Sequence, residues 1–169
     1  SNNIYYPGLY DTISYIIGYL IRIINGSFFE NFFIEINHTI NFIFGSLSLF
    51  GLFKLVKIFF NKNTAYLSCI FTLLNPFFFG HLGINPKDII IFFSYIWFIY
   101  FFFKYLNNDK DKIINILCAS FFIGFGCGIR ISFLAIVLPI IIIGIIFIIK
   151  KKIFLNYISN LFRDSTIAL

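Results

Sequence analysis

The sequence predicts an all-α protein: a polytopic transmembrane bundle of about five spanning helices, with one further helix lying along the outer membrane surface. Three observations support this fold class. Of the 169 residues, 60% are hydrophobic and 12% are charged, whereas a soluble domain is about half apolar and a quarter charged. Long apolar runs alternate with short polar connectors, and lysines gather in every second connector.

Five runs are almost free of charge, and each is long enough to cross a bilayer as a helix. A spanning helix needs roughly 20 residues, and about 17 suffice. The shorter runs reach this length because Lys54, Lys57 and Lys104 can extend their ammonium groups to the interface. The predicted spans are residues 39–53 (extendable to 60), 63–80, 89–103, 113–129 and 131–149.

The basic residues predict how the bundle is oriented. Of the 13 Lys and Arg residues, ten fall in the connectors of one side, while Arg22, Lys87 and Arg130 fall on the other. Because cytoplasmic loops are enriched in Lys and Arg, the lysine-rich side is predicted to be cytoplasmic. The chain then divides into an outer loop end with an interfacial helix (1–38), a transmembrane region (39–150) and a cytoplasmic segment that leads into a further, truncated segment (151–169). The interfacial helix is "YDTISYIIGYLIRII", which is too short and too rich in Tyr to span.

The predicted outer side collects most of the residues that could carry chemistry. Both histidines and four of the seven acids lie there, including Asp11, His38, His81 and Asp88. This distribution suggests a polar site, although each residue alone could be a solvated loop residue. The three cysteines lie inside apolar runs without CxxC spacing, which is typical of inert buried thiols rather than metal ligands.

Lys87 and Asp88 stand side by side after Pro86. A proline suits the first turn of a helix, and a carboxylate there favours the positive helix end, so Asp88 could be a capping residue. Lys87 is harder to explain, because a cation is unfavourable at a helix N-terminus and on the outer side. An anion such as a phosphate, or Asp88 itself, would account for it.

Arg130 interrupts a stretch, 113–149, that is otherwise free of charge. It could anchor a turn, or it could direct a guanidinium at a phosphate of the outer leaflet. Gly124 and Gly128, four residues apart, predict a face for close helix packing.

Four motifs follow one another in an order typical of a known family: "YYPGLYD", "INHTINFIFGSLSLFGLFKL", "LLNPFFFGHLGINPKDIIIFF" and "FFIGFGCGIRIS". Together they resemble the bacterial relatives of the dolichyl-phosphate-mannose protein mannosyltransferases, which are GT-C-type membrane glycosyltransferases. The resemblance implies that the chain is a fragment of a larger GT-C-like fold in a bacterial inner or plasma membrane. Such an enzyme moves a sugar from a polyprenyl-phosphate-linked donor to an acceptor protein, lipid or glycan on the outer face.

The resemblance also implies roles for the outer residues. Lys87 and Arg130 would stabilise the charge on the departing phosphate, and Asp88 and His81 would bind the acceptor or orient Lys87. The catalytic set is therefore Asp88, Lys87 and His81, and the substrate-binding set is Arg130, Asp11 and His38. The principal catalytic carboxylate is expected upstream of Ser1.

The sequence predicts no set of metal ligands and no cofactor, and it leaves open whether a divalent cation is used. No nucleic-acid partner is expected. Two alternatives compete with the glycosyltransferase. One is a polytopic transporter or lipid-carrier flippase subunit, whose outer charges would line a pathway. The other is a noncatalytic membrane scaffold, in which the charges only anchor loops.

Overall fold

A computed structural model describes residues 8–25, 33–107 and 111–167, and the regular structure within these ranges is entirely α-helical. The all-α prediction is confirmed. The chain divides into two compact units, Ser1–Leu134 and Ala135–Leu169. The helices are α1 (Leu9–Asn25), α2 (Phe33–Phe59), α3 (Lys62–Leu74), α4 (Pro76–Ile84), α5 (Pro86–Leu106), α6 (Lys112–Ile129) and α7 (Phe133–Ile167).

Four helical segments of the described chain are long and apolar enough to cross a membrane, and a fifth span results if α3 and α4 count as one. The prediction of about five spans is thereby confirmed. Helix α1, with 17 residues, is outside this set. Helix α2 begins at Phe33, before the predicted start at residue 39, and α7 continues past Lys150 as one helix to Ile167.

The predicted second span, 63–80, is wrong as a single straight helix. The structure bends by 62° between α3 and α4. Asn75 ends α3, and its side-chain oxygen accepts a hydrogen bond of 2.9 Å from the backbone N–H of Phe77, which caps α4. Pro76 follows as the first residue of α4, where it has no N–H to continue the hydrogen-bond ladder of α3. The bend leaves room between this helix pair and its neighbours.

Helices α2 and α5 run parallel: residues further along α2 contact residues further along α5. A side chain at Gly45 would meet Ile89, and one at Gly51 would meet Ile96. The indole N–H of Trp97 donates to the carbonyl of Leu47 at 3.1 Å. These glycines let α5 approach the backbone of α2 closely.

Helix α6 runs antiparallel to α5 through an aromatic interface. The rings of Phe93 and Phe125 lie 6.2 Å apart near one end, and those of Phe101 and Phe122 lie 5.8 Å apart further along. The two ends of the bundle therefore differ in composition. We call the end that holds the start of α5 and the finish of α6 the Asp88 end. The opposite, lysine-rich end carries Lys54, Lys57, Lys62, Lys104 and Lys112.

The glycines of α6 pack differently from the prediction. A side chain at Gly128 would meet Leu9 of α1 at 2.8 Å, and one at Gly126 would meet the ring of Phe133 at 2.4 Å. Gly124 has nothing within 4 Å, so the expected packing face of Gly124 and Gly128 is wrong. The close approaches are made at Gly126, where the chain that follows α6 brings Phe133 back, and at Gly128, where α1 brings Leu9.

Candidate active site

Asp88 lies in the first turn of α5, as the sequence predicted. Pro86 occupies the start of that helix, where a missing backbone N–H costs no hydrogen bond. The Asp88 carboxylate is engaged by side chains: Asn85 Nδ2 donates to Oδ2 at 2.6 Å, and Arg130 Nη1 lies 2.9 Å from Oδ1. Asp88 therefore does more than offset the helix dipole, because it joins α5 to the chain that follows α6.

Arg130 is held in place by its backbone on both sides. It caps the C-terminus of α6, where its N–H donates to the carbonyl of Gly126 at 3.0 Å, and its own carbonyl accepts from the N–H of Phe133 at 3.0 Å. The guanidinium uses Nη1 for Asp88, whereas Nε is buried and has no hydrogen-bond partner among the described residues. A guanidinium has five N–H donors, so Arg130 keeps capacity to bind an anion.

His81, in the last turn of α4, approaches the same carboxylate. Its Nδ1 lies 3.7 Å from Asp88 Oδ2, and 41% of its side chain is exposed. The distance exceeds that of a direct hydrogen bond, so His81 borders the Asp88–Arg130 pair without being locked to it. Three of the predicted site residues, Asp88, Arg130 and His81, thus come together.

A pocket of about 570 Å³ opens at this cluster. Its polar wall includes His81 and Asp88, and the rest is mostly aromatic and aliphatic. The bend between α3 and α4 accounts for the space, since both helices and α5 contribute to its walls. The lining residues are Leu52, Phe71, Thr72, Asn75, Phe77, Phe78, His81, Asp88, Ile89, Phe92 and Ile96. A mainly apolar pocket with a few charged groups at one side suits a ligand that has a long apolar body and a polar head.

Helix α1 docks beside the cluster. The Tyr10 hydroxyl donates to Asn37 Oδ1 on α2, and Ser14 Oγ donates to the same oxygen at 3.3 Å. Burial raises the pKa of the Tyr10 phenol; the hydrogen bond with Ser14 lowers this pKa and the nearby Asp11 charge raises it. Together with the contact of Leu9 at Gly128, these interactions brace the end of α6, directly before Arg130.

The other predicted residues are placed less centrally. Lys87 adjoins Asp88 in the first turn of α5 and is half-buried. Asp11 and His38 are exposed, on α1 and α2. Within the described ranges, neither of these two makes a hydrogen bond or ion pair with Asp88 or Arg130. The same ranges contain no group of three or more His, Cys, Asp or Glu side chains that could hold a metal ion.

Sequence reasoning missed two contributors to the site. Asn85, three residues before Asp88, supplies the shortest contact of the carboxylate. Its spacing is that of a capping residue, which was the available signal. Asn75 was also missed, although an Asn-Pro pair is a common breaker of helices.

A comparison with protein-family models identifies the family of the chain. The model described as dolichyl-phosphate-mannose-protein mannosyltransferase matches residues 12–167. The chain belongs to this family. It is therefore a mannosyltransferase-like protein of the GT-C type, which confirms the predicted resemblance, and its helices are those of a multi-pass membrane glycosyltransferase. None of the curated proteins and none of the solved structures matches the chain.

Proposed function

We propose that this mannosyltransferase-family chain transfers a sugar from a polyprenyl-phosphate-linked donor to an acceptor protein, lipid or glycan, and that the Asp88 end faces the outside of the membrane. The observation that carries the proposal is Asp88, which lines the polar wall of an apolar pocket and is paired with Arg130. The orientation is supported by the lysines, which gather at the opposite end.

The donor's two parts suit the two parts of the pocket. The aromatic and aliphatic walls, including Phe78 and Phe92, suit the polyprenyl chain. Arg130, which pairs with the pocket residue Asp88, suits the phosphate, since it presents a planar fork of donors that matches phosphate oxygens. Asp88 holds Arg130 through one oxygen and contacts Asn85 through the other. We therefore assign to Asp88 the positioning of Arg130, and to Lys87 a second positive charge.

The reaction needs an anion-stabilising group at this place. The acceptor hydroxyl oxygen forms a bond to C1 of the sugar, and the bond between C1 and the phosphate oxygen breaks. The electron pair of that bond stays on the lipid phosphate, and the acceptor's proton passes to a carboxylate base. Arg130 and Lys87 would stabilise the added negative charge on the phosphate. His81, beside the pocket, would orient the acceptor.

The test measures sugar transfer from a polyprenyl-phosphate sugar by membranes that contain the protein. Arg130→Gln is expected to lower turnover by roughly 10²-fold, as the loss of one preorganised electrostatic contact does. Arg130→Lys should recover only part of that loss, because an ammonium cannot contact a phosphate and Asp88 through a planar fork. Lys57→Gln, at the lysine-rich end, is the matched control that removes a charge without touching the site. Equal turnover of Arg130→Gln and Lys57→Gln at equal protein level would overturn the proposal.

A further inference from the structure

The lysine-rich end has a second arrangement of charged and aromatic side chains. Lys54 on α2 and Lys104 on α5 both direct their ammonium groups at the ring of Tyr100, with Nζ at 6.0 Å and 5.4 Å from its centroid. Lys54 Nζ also lies 4.5 Å from the centroid of Phe50 and 5.6 Å from that of Trp97. We call these five residues the Lys54–Lys104 patch.

The aromatic rings fix the position of the charges. A cation above an aromatic face gains about 0.5–1 kcal/mol at an exposed site and more when it is partly desolvated. Lys54 and Lys104 are both half-buried. Their ammonium groups are therefore held at the ends of α2 and α5 instead of sampling the solvent freely.

The electrostatics of this end favour an anion. Lys54 and Lys104 each place a positive charge beside the ring of Tyr100, and an anion at this end is attracted to both. Lys57, Lys62 and Lys112 add further positive charge at this end, and Asp111, beside the start of α6, adds a negative charge.

An apolar surface leads from the patch into the membrane-spanning part of α2. Phe50 lies one helical turn deeper than Lys54, and Leu47 lies two turns deeper on the same face. Their side chains are 51% and 40% exposed, so this face is open to a neighbouring acyl chain. A charged site that continues into an exposed apolar stripe has the shape of a phospholipid, with the headgroup at the lysines.

We propose that the Lys54–Lys104 patch binds the phosphate headgroup of an anionic phospholipid in the leaflet at the lysine-rich end. The site is independent of the sugar-transfer proposal, because α2 and α5 carry it at the end opposite to Asp88. A bound lipid would join the ends of the two parallel helices through its phosphate, with one lysine from each helix.

Trp97 gives a direct measurement, since it belongs to the patch and is the single tryptophan of the chain. The purified protein in mixed micelles is titrated with brominated phosphatidylglycerol or brominated phosphatidylcholine of the same acyl chains, and quenching of Trp97 fluorescence is followed. We expect the anionic lipid to quench at a concentration roughly 30-fold lower, as two lysine–phosphate contacts near a membrane surface provide. Inorganic phosphate is titrated separately, as competitor to the brominated lipid.

The variants separate this site from general attraction to a basic surface. The double variant Lys54→Gln with Lys104→Gln should lose the preference for phosphatidylglycerol, whereas Lys57→Gln should keep it. Equal quenching of the wild-type protein by both lipids would overturn the proposal whether or not the double variant folds. An unchanged preference in the double variant would also overturn it, and competition by inorganic phosphate at lipid-like concentration would contradict a lipid ligand.

Discussion

Removing the ion pair between Asp88 and Arg130 tests whether the two residues act as one unit. The perturbation is a double-mutant cycle that combines Asp88→Asn with Arg130→Gln. Asp88→Asn keeps the size of the side chain and removes its charge, and Arg130→Gln removes the charge and shortens the side chain. The pair is partly exposed, with 33% and 36% of the two side chains accessible, so it is neither a fully screened surface pair nor a buried one.

The expected coupling follows from the distance. At the 2.9 Å between Nη1 and Oδ1, Coulomb's law gives about 1.4 kcal/mol at the dielectric constant of water and about 6 kcal/mol at an effective value of ~20. Desolvation and the ordering of two side chains offset much of this attraction, and exposed pairs are measured at about 0.2–1 kcal/mol. For this half-buried ion pair, with Nη1 and Oδ1 2.9 Å apart, we expect a coupling of about 1–2 kcal/mol.

The assay is thermal or denaturant unfolding of the detergent-solubilised wild type, both single variants and the double variant. Each single variant should destabilise the protein, and the double variant should be less destabilised than the sum of the two singles. Strict additivity, within about 0.5 kcal/mol, would refute the assignment of Asp88 to holding Arg130. Sugar transfer measured on the same four proteins should show the same non-additive pattern.

Three further predictions concern α6, α1 and the helix bend. Gly126→Ala should destabilise the protein by about 1–3 kcal/mol in unfolding experiments, because the new Cβ would lie 2.4 Å from the Phe133 ring, whereas Gly124→Ala, with open space in the same helix, should cost nothing. Tyr10→Phe should cost about 1 kcal/mol near neutral pH through its lost hydrogen bond. Because the pKa of Tyr10 is raised in the folded state, its contribution to stability is complete below the ordinary pKa of 10.0 and is lost as the pH rises through the folded-state pKa. The free energy of unfolding should therefore fall less at alkaline pH in Tyr10→Phe than in the wild type. An equal fall in the two proteins would contradict this. Pro76→Ala should straighten α3 into α4 and so narrow the pocket. A lipid photoprobe should then label the variant more weakly than the wild type, and unchanged labelling would contradict this.

The sequence predicted which end of the bundle holds the candidate site residues better than it predicted the contacts between them. Spans of sufficient length and lysines in alternate connectors were enough to put Asp88 and Arg130 at one end of the bundle. Both signals are one-dimensional, because apolar length and charge position can be read without knowing which helix faces which. The direct pair of Asp88 and Arg130 needed the antiparallel packing of α5 on α6, which depends on side-chain shape.

The pocket could not be predicted for a related reason. A run of almost uniformly apolar residues, 63–80, has no periodic pattern that distinguishes one straight helix from two. The bend depends on Asn75 capping α4 while Pro76 ends the ladder of α3. The docking of α1 was hidden as well, since Tyr10 and Ser14 meet Asn37 across a long separation in sequence.

Photo-crosslinking with a polyprenyl phosphate tests the central claim most directly. A probe with a photoreactive group in its isoprenoid chain is bound to the protein in membranes, and the labelled residues are mapped by mass spectrometry. The account predicts labels on the pocket walls, at Phe78, Phe92 and their neighbours, and loss of labelling in Arg130→Gln but not in Lys57→Gln. Labelling that avoids the pocket walls, or that is equally strong in both variants, would contradict it.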